Sequence, residues 1–195
     1  MEKMRKKTRK QGRRKYSMHE RHYDACEGSF KATDESRAKA NAQLFDDTGL
    51  MVATCRHDSI LFAVNMKTAG ERQFYAIAVL LELMEHLPPD TRVGVLYDIA
   101  CCLERSCIKW DYLGKELLRF FFAVSKFHAF AHGWCCQLVY HPDKRDEFGL
   151  TDGESCERKW SQLKHLIPVC RVSGVSCCDS CKLCYQNLIY VMTAL

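Results

Sequence analysis

Apolar and polar positions change period several times along this chain, and each change suggests an element. The clearest helix is GERQFYAIAVLLELMEHL. Phe74, Ile77, Ala78, Leu81 and Met84 recur at helical spacing, Gly70 and Glu71 open the segment, and Pro88 and Pro89 stop it. A second amphipathic helix is predicted over ESCERKWSQLKHLI, residues 154–167, with Trp160, Leu163 and Leu166–Ile167 turned inward. Shorter apolar runs read as strands. LFDDTGLMVATCRHD gives two strand-like pieces interrupted by a DDTG turn, and ILFAVNMKT follows as a further strand. VGVLY, Val93 to Tyr97, is flanked by apolar residues on both sides, which suits a central strand buried on two faces.

Three stretches are less decided. DACEGSFKA reads as a strand with Phe30 inward, KELLRFFFAVSKF as either helix or strand, and HAFAHGWCCQLVY as a helix. The resulting order is three early strands, a helix, a further strand, a mixed segment and a helix. This is an α/β arrangement of the kind a ribonuclease-H-like fold needs: a mixed sheet flanked by helices.

Composition adds three points. The chain has 195 residues, 47% hydrophobic and 27% charged, enough for one domain with a real core. No apolar run is long enough for a transmembrane helix, and the N-terminus lacks the apolar stretch of a secretory signal. The net charge of +5 is local: Lys3 to Lys15 holds nine basic residues in thirteen. With that segment and Glu2 set aside, 20 basic residues face 23 acidic ones. Lys6, Lys7, Arg9, Lys10, Arg13 and Arg14 thus form a basic arm, which reads as a nuclear address or phosphate-contacting tail, or as a solvated disordered terminus.

Candidate chemistry lies in the acids and in the thirteen cysteines. Asp98 stands where VGVLY runs out, at the edge where α/β sheets bind ligands, although it could equally cap the following IACC. Asp46 and Asp47 suit a hard cation, or simply a turn. Glu154 and Glu157 share a helical face and also suit the first turn of a helix. Carboxylates from separate elements can converge on two metal ions and activate a phosphodiester-cleaving nucleophile, a convergence that spacing alone does not show. His128, His132 and Cys136 fall at i, i+4 and i+8, as zinc ligands on one helical face or as buried core residues; Cys55 with His57, or Cys101 and Cys102, could complete a site. Cys178, Cys181 and Cys184 make overlapping C-x-x-C pairs, with Cys177 beside them and no distant partner pair.

Taken in order, CEGSFKATDESRAKA, FDDTGLMVATCRHD, VGVLYDIACCLERS, FHAFAHGWCCQLVYHP and EFGLTDGESCERKWS resemble the Kyakuja-Dileera-Zisupton transposases abundant in fungal genomes. The resemblance spans residues 23–172, between the arm at 1–22 and a divergent cysteine-rich tail at 173–195, and gives the expectation of a core incomplete at its C-terminus. It implies a nuclear ribonuclease-H-like domain that cuts and joins DNA with Mg²⁺ or Mn²⁺ on an Asp-Asp-Glu triad. By position the middle acid is Asp98 and the last is Glu154 or Glu157. The first is Asp46, or lies where Glu27-Gly28-Ser29-Phe30 replaces the Asp-x-Asn-Phe pattern of many relatives. The relatives are usually longer, with an upstream zinc-binding region. The rival expectation is a non-catalytic nucleic-acid- or protein-binding remnant, stabilised by zinc.

Overall fold

A computed structural model describes residues 18–29, 47–68, 71–166 and 168. The elements, in chain order, are helix α1 (Glu20–Ser29), strands β1 (Gly49–Thr54) and β2 (Ile60–Met66), helix α2 (Gln73–Glu85), strand β3 (Val93–Leu96), helix α3 (Ala100–Trp110), strand β4 (Phe120–Ala123), the single helical turn α4 (Lys126–Ala129), helix α5 (Trp134–Tyr140) and helix α6 (Ser155–Leu163). The architecture is mixed α/β with two small sheets. The described residues fall into two compact units, one formed by residues up to 29 with Leu80–Gly153, the other by the rest.

The first unit is built on a strand–helix–strand crossover. β3 and β4 pair in parallel, Val93 opposite Phe120 through Leu96 opposite Ala123, and α3 connects them and packs on β4. Parallel neighbours require such a crossover. All four residues of FFFA are buried. Phe120 and Phe122 point to one face, while Phe121 and Ala123 on the other pack with Leu96 and Phe148. Buried on two faces, β4 has the character that the sequence suggested for VGVLY. β3 itself is only partly covered, with Gly94 exposed. Its residue Gly94 lets the Phe148 ring approach, since a Cβ there would stand 3.0 Å from Phe148 Cε1.

The segment predicted as a strand with Phe30 inward is instead α1; Phe30 lies outside the described residues. Tyr23 and Cys26, one helical turn apart, are both buried. The Tyr140 hydroxyl donates to Glu104 Oε2 at 2.7 Å, and Tyr23 Oη lies 3.0 Å from Tyr140 Oη. Arg105 on α3 pairs with Asp24 at 2.7 Å and with Glu27. Tertiary partners therefore hold a short segment in the helical state against a weak local preference.

In the second unit β1 and β2 form an antiparallel hairpin, Gly49 opposite Met66, with a bulge at Ala53/Thr54. Helix α6 packs against β1. Its buried positions are Ser155 and Lys159, while Trp160 and Leu163 are half-buried. In α2 the buried residues are Tyr75, Ala76, Ile77, Val79, Leu80 and Met84, and Phe74, Ala78 and Leu81 are exposed. Helical spacing located α2 correctly but turned its apolar face by part of a turn.

Candidate functional site

Parallel pairing brings the C-terminal ends of β3 and β4 side by side, and each strand delivers a polar residue just beyond its end. Asp98 follows β3 and Ser125 follows β4. The Ser125 hydroxyl donates to Asp98 Oδ1 at 3.2 Å. His128, on the α4 turn, places Nδ1 3.0 Å from Ser125 Oγ and 3.2 Å from Asp98 Oδ1. With the serine proton directed at the carboxylate, the Nδ1 proton of His128 is the one that faces both oxygens. Asp98 is about a third exposed (37%) and His128 less so (20%). The outcome is a carboxylate held in one orientation at the mouth of a parallel strand pair, open to solvent. Ser125 carries no motif in the sequence. The signal that could have revealed it is its place directly after the apolar run FFFAV.

The loop TDG closes this corner. The Lys126 amide donates to the Asp152 carbonyl at 2.9 Å. Gly153, at φ +79°, sits so close that a Cβ would stand 2.9 Å from Leu96 Cβ and 3.0 Å from Ser125 Cβ. Lys126 Nζ also pairs with Asp143 at 2.6 Å. The backbone here therefore requires glycine for both its conformation and its closeness.

Glu27, the alternative first acid, stays in the first unit on α1, paired with Arg105, and the remaining sequence-predicted acids belong to the second unit. Glu154 is half-buried at the N-cap of α6, and Glu157 is exposed in its first turn. Asp47 pairs with Lys67 Nζ at 2.7 Å, whereas Asp46 lies outside the described residues. An anchor missed in the sequence is Asp58, at φ 62° in the β1–β2 connection. It accepts from Ser155 Oγ at 2.6 Å, and from Arg158 Nε and Nη2 at 2.8 and 2.7 Å. These bonds, the fork of Arg158 first and Ser155 second, hold the Asp58 carboxyl down at about 2.

A separate, buried cluster sits in the first unit. The sequence spacing put His128, His132 and Cys136 on one helical face, but the chain turns through Phe130–Gly133 between α4 and α5. His128 goes to Asp98. His132 and Cys136 meet Cys26 of α1 and Cys101 of α3, and the four ligand atoms lie within 4.8 Å of one another. His132 Nδ1 is 3.3 Å from Cys136 Sγ and 3.6 Å from Cys101 Sγ, while its Nε2 is 2.8 Å from the Asp98 carbonyl oxygen. Cys102, equally buried, is not one of the four: its Sγ lies 3.8 Å from Cys101 Sγ and 3.7 Å from the Tyr23 carbonyl. Cys55 and His57 belong to the second unit.

The sulfurs and the imidazole share charge. Hydrogen bonding to Cys101 pulls Cys26 down to about 5 against burial. Cys136 falls to about 7, through Cys101 and then His132. Burial works to lower His132, but Cys136 and then Cys26 outweigh it and raise it to about 9. Such a cluster can hold a metal ion such as zinc.

The basic arm, with Lys6, Lys7, Arg9, Lys10, Arg13 and Arg14, and the tail cysteines lie outside the described residues. No described helix is long and apolar enough to cross a membrane. Compared with known proteins, the chain matches the family model of the Kyakuja-Dileera-Zisupton transposase over residues 1–181. No curated protein and no solved structure matches it.

Proposed function

The chain belongs to the Kyakuja-Dileera-Zisupton (KDZ) transposase family, and from that premise we propose that it is a ribonuclease-H-like catalytic domain that cleaves and joins DNA strands in the nucleus. The observation that carries this reading is Asp98: an acid at the C-terminal end of a parallel strand, oriented by Ser125 and His128 and open to solvent. Catalytic carboxylates of α/β sheets occupy this position.

In this reading Asp98 is the middle acid of an Asp-Asp-Glu triad, for which the family pattern matches Asp46 as the first acid and Glu154 or Glu157 as the last. Asp98 fits a hard cation, since a part-exposed carboxylate offers the oxygen ligand that Mg²⁺ or Mn²⁺ prefers. These carboxylates would hold the cation, which would supply activation of a water or a 3′-hydroxyl and stabilisation of the leaving oxygen of a phosphodiester. Ser125 and His128 are positioning residues that fix the carboxylate orientation before substrate arrives. The arm residues Lys6, Lys7, Arg9, Lys10, Arg13 and Arg14 supply sequence-independent contacts to DNA phosphates.

The test is nicking of supercoiled DNA and strand transfer of labelled oligonucleotides, with Mg²⁺ or Mn²⁺. The wild-type protein nicks only with the cation, and Asp98→Ala is inactive. Identical behaviour of the two proteins supports the rival reading, a DNA-binding remnant without catalysis.

A further inference from the structure

Cys26 comes from α1, Cys101 from α3, His132 from the turn before α5 and Cys136 from α5, and all four are buried, at 5% exposure or less. Buried cysteines usually pack as small apolar groups. This cluster differs in two respects. An imidazole stands among the sulfurs, and that imidazole is already oriented. His132 Nε2–H donates to the Asp98 carbonyl at 2.8 Å, which fixes the tautomer and leaves the Nδ1 lone pair facing the sulfurs. Metal-binding histidines have this outer hydrogen bond. The spacing also fits. Around a tetrahedral zinc with bonds of about 2.0–2.3 Å, ligand atoms stand roughly 3.3–3.8 Å apart. The distances from Nδ1 to Cys136 and Cys101 Sγ are 3.3 and 3.6 Å.

We propose that Cys26, Cys101, His132 and Cys136 hold one zinc ion in a closed structural site, and that this ion fixes the segment carrying Asp98. Three thiolates with one imidazole select a soft or borderline ion and disfavour Mg²⁺. Four protein ligands leave no open position, so the ion is structural. It ties α1 to α3 and α5, elements that also meet through the Tyr23–Tyr140–Glu104 hydrogen bonds and the Arg105 ion pairs. Asp98 is fixed from two sides, through Cys101 three residues on and through its own carbonyl on His132. The zinc site stands on its own geometry; only its consequence for Asp98 rests on the catalytic reading.

The test measures metal directly and needs no DNA. Cys177, Cys178, Cys181 and Cys184 are replaced by Ser in the full chain, so that the tail cannot contribute ligands. The purified protein then retains one equivalent of zinc. Replacement with Co²⁺ gives the visible spectrum of a tetrahedral ion with thiolate charge-transfer bands. Cys136→Ser lowers zinc affinity by more than about 100-fold, Cys136→His retains the ion, and Cys102→Ser changes nothing. A folded tail variant without zinc, a cobalt spectrum that is not tetrahedral, or zinc lost in Cys102→Ser overturns the proposal. The cobalt spectrum decides the matter even if a ligand variant fails to fold.

Discussion

His132 donates its Nε2 proton to the backbone carbonyl of Asp98 at 2.8 Å, while the side chain of the same Asp98 accepts from Ser125 at 3.2 Å. One residue is thus held through its main chain by the buried cysteine–histidine cluster and through its carboxylate by the strand-end polar pair. In the proposed reading a structural site and a catalytic acid meet at this one position in the chain.

Gly153 seats the TDG loop against this corner. Gly153→Ala places a methyl group 2.9–3.0 Å from Leu96 Cβ and Ser125 Cβ, at a φ of +79°. Gly149→Ala meets a comparable φ of +55° with nothing within 4 Å. Each substitution costs about 1–2 kcal/mol for the backbone. Only Gly153→Ala adds displacement of Ser125, so it loses nicking activity at least about tenfold more than Gly149→Ala. Equal losses in both variants, compared at matched folding by circular dichroism, would show that the close packing at Gly153 does not matter.

The Asp58–Arg158–Ser155 anchor predicts a particular pH response. The carboxyl of Asp58 lies at about 2 in the folded chain, below its unfolded value of about 3.9. A depressed carboxylate contributes stability that is full above the unfolded value and is lost as pH falls through the folded one. The attachment of α6 to the hairpin connection therefore persists through mild acid and fails between about pH 4 and pH 2. Carboxyl NMR titration reads Asp58 near 2 in the wild type and back toward the ordinary carboxylate value in Arg158→Gln. An unchanged midpoint in that variant contradicts the assignment.

Much of this arrangement was legible in the sequence, and the parts that were not share a cause. α2, the β1–β2 hairpin, β3 and α6 each show a local period long enough to declare itself. α1 does not, because DACEGSFKA alternates small and polar residues, and its helix depends on Tyr23, Asp24, Cys26 and Glu27 finding partners on α3 and α5. Asp98 was visible as the acid that ends an apolar strand. Ser125 was not, since its role comes from β4 lying beside β3. The pairing of His132 with Cys136 followed from spacing. Cys26 and Cys101, and the parting of His128 from His132 at the turn before Gly133, are tertiary facts.

The basic arm predicts a salt dependence. If Lys6, Lys7, Arg9, Lys10, Arg13 and Arg14 each neutralise one phosphate, replacing all six with Gln lowers the slope of log affinity against log salt by about 5. Fluorescence anisotropy with duplex DNA over a range of NaCl measures this. A slope that does not change removes the arm from the DNA interface.

The most direct test of the account is a paired measurement on zinc-loaded wild type and Asp98→Asn: nicking of supercoiled DNA with Mn²⁺, and bound zinc on the same samples. The substitution keeps the backbone carbonyl that His132 uses and removes only the carboxylate charge. The predicted result is equal zinc in both proteins, with nicking reduced in the variant by at least about a hundredfold. Equal nicking by the two proteins contradicts the claim that Asp98 is a catalytic acid.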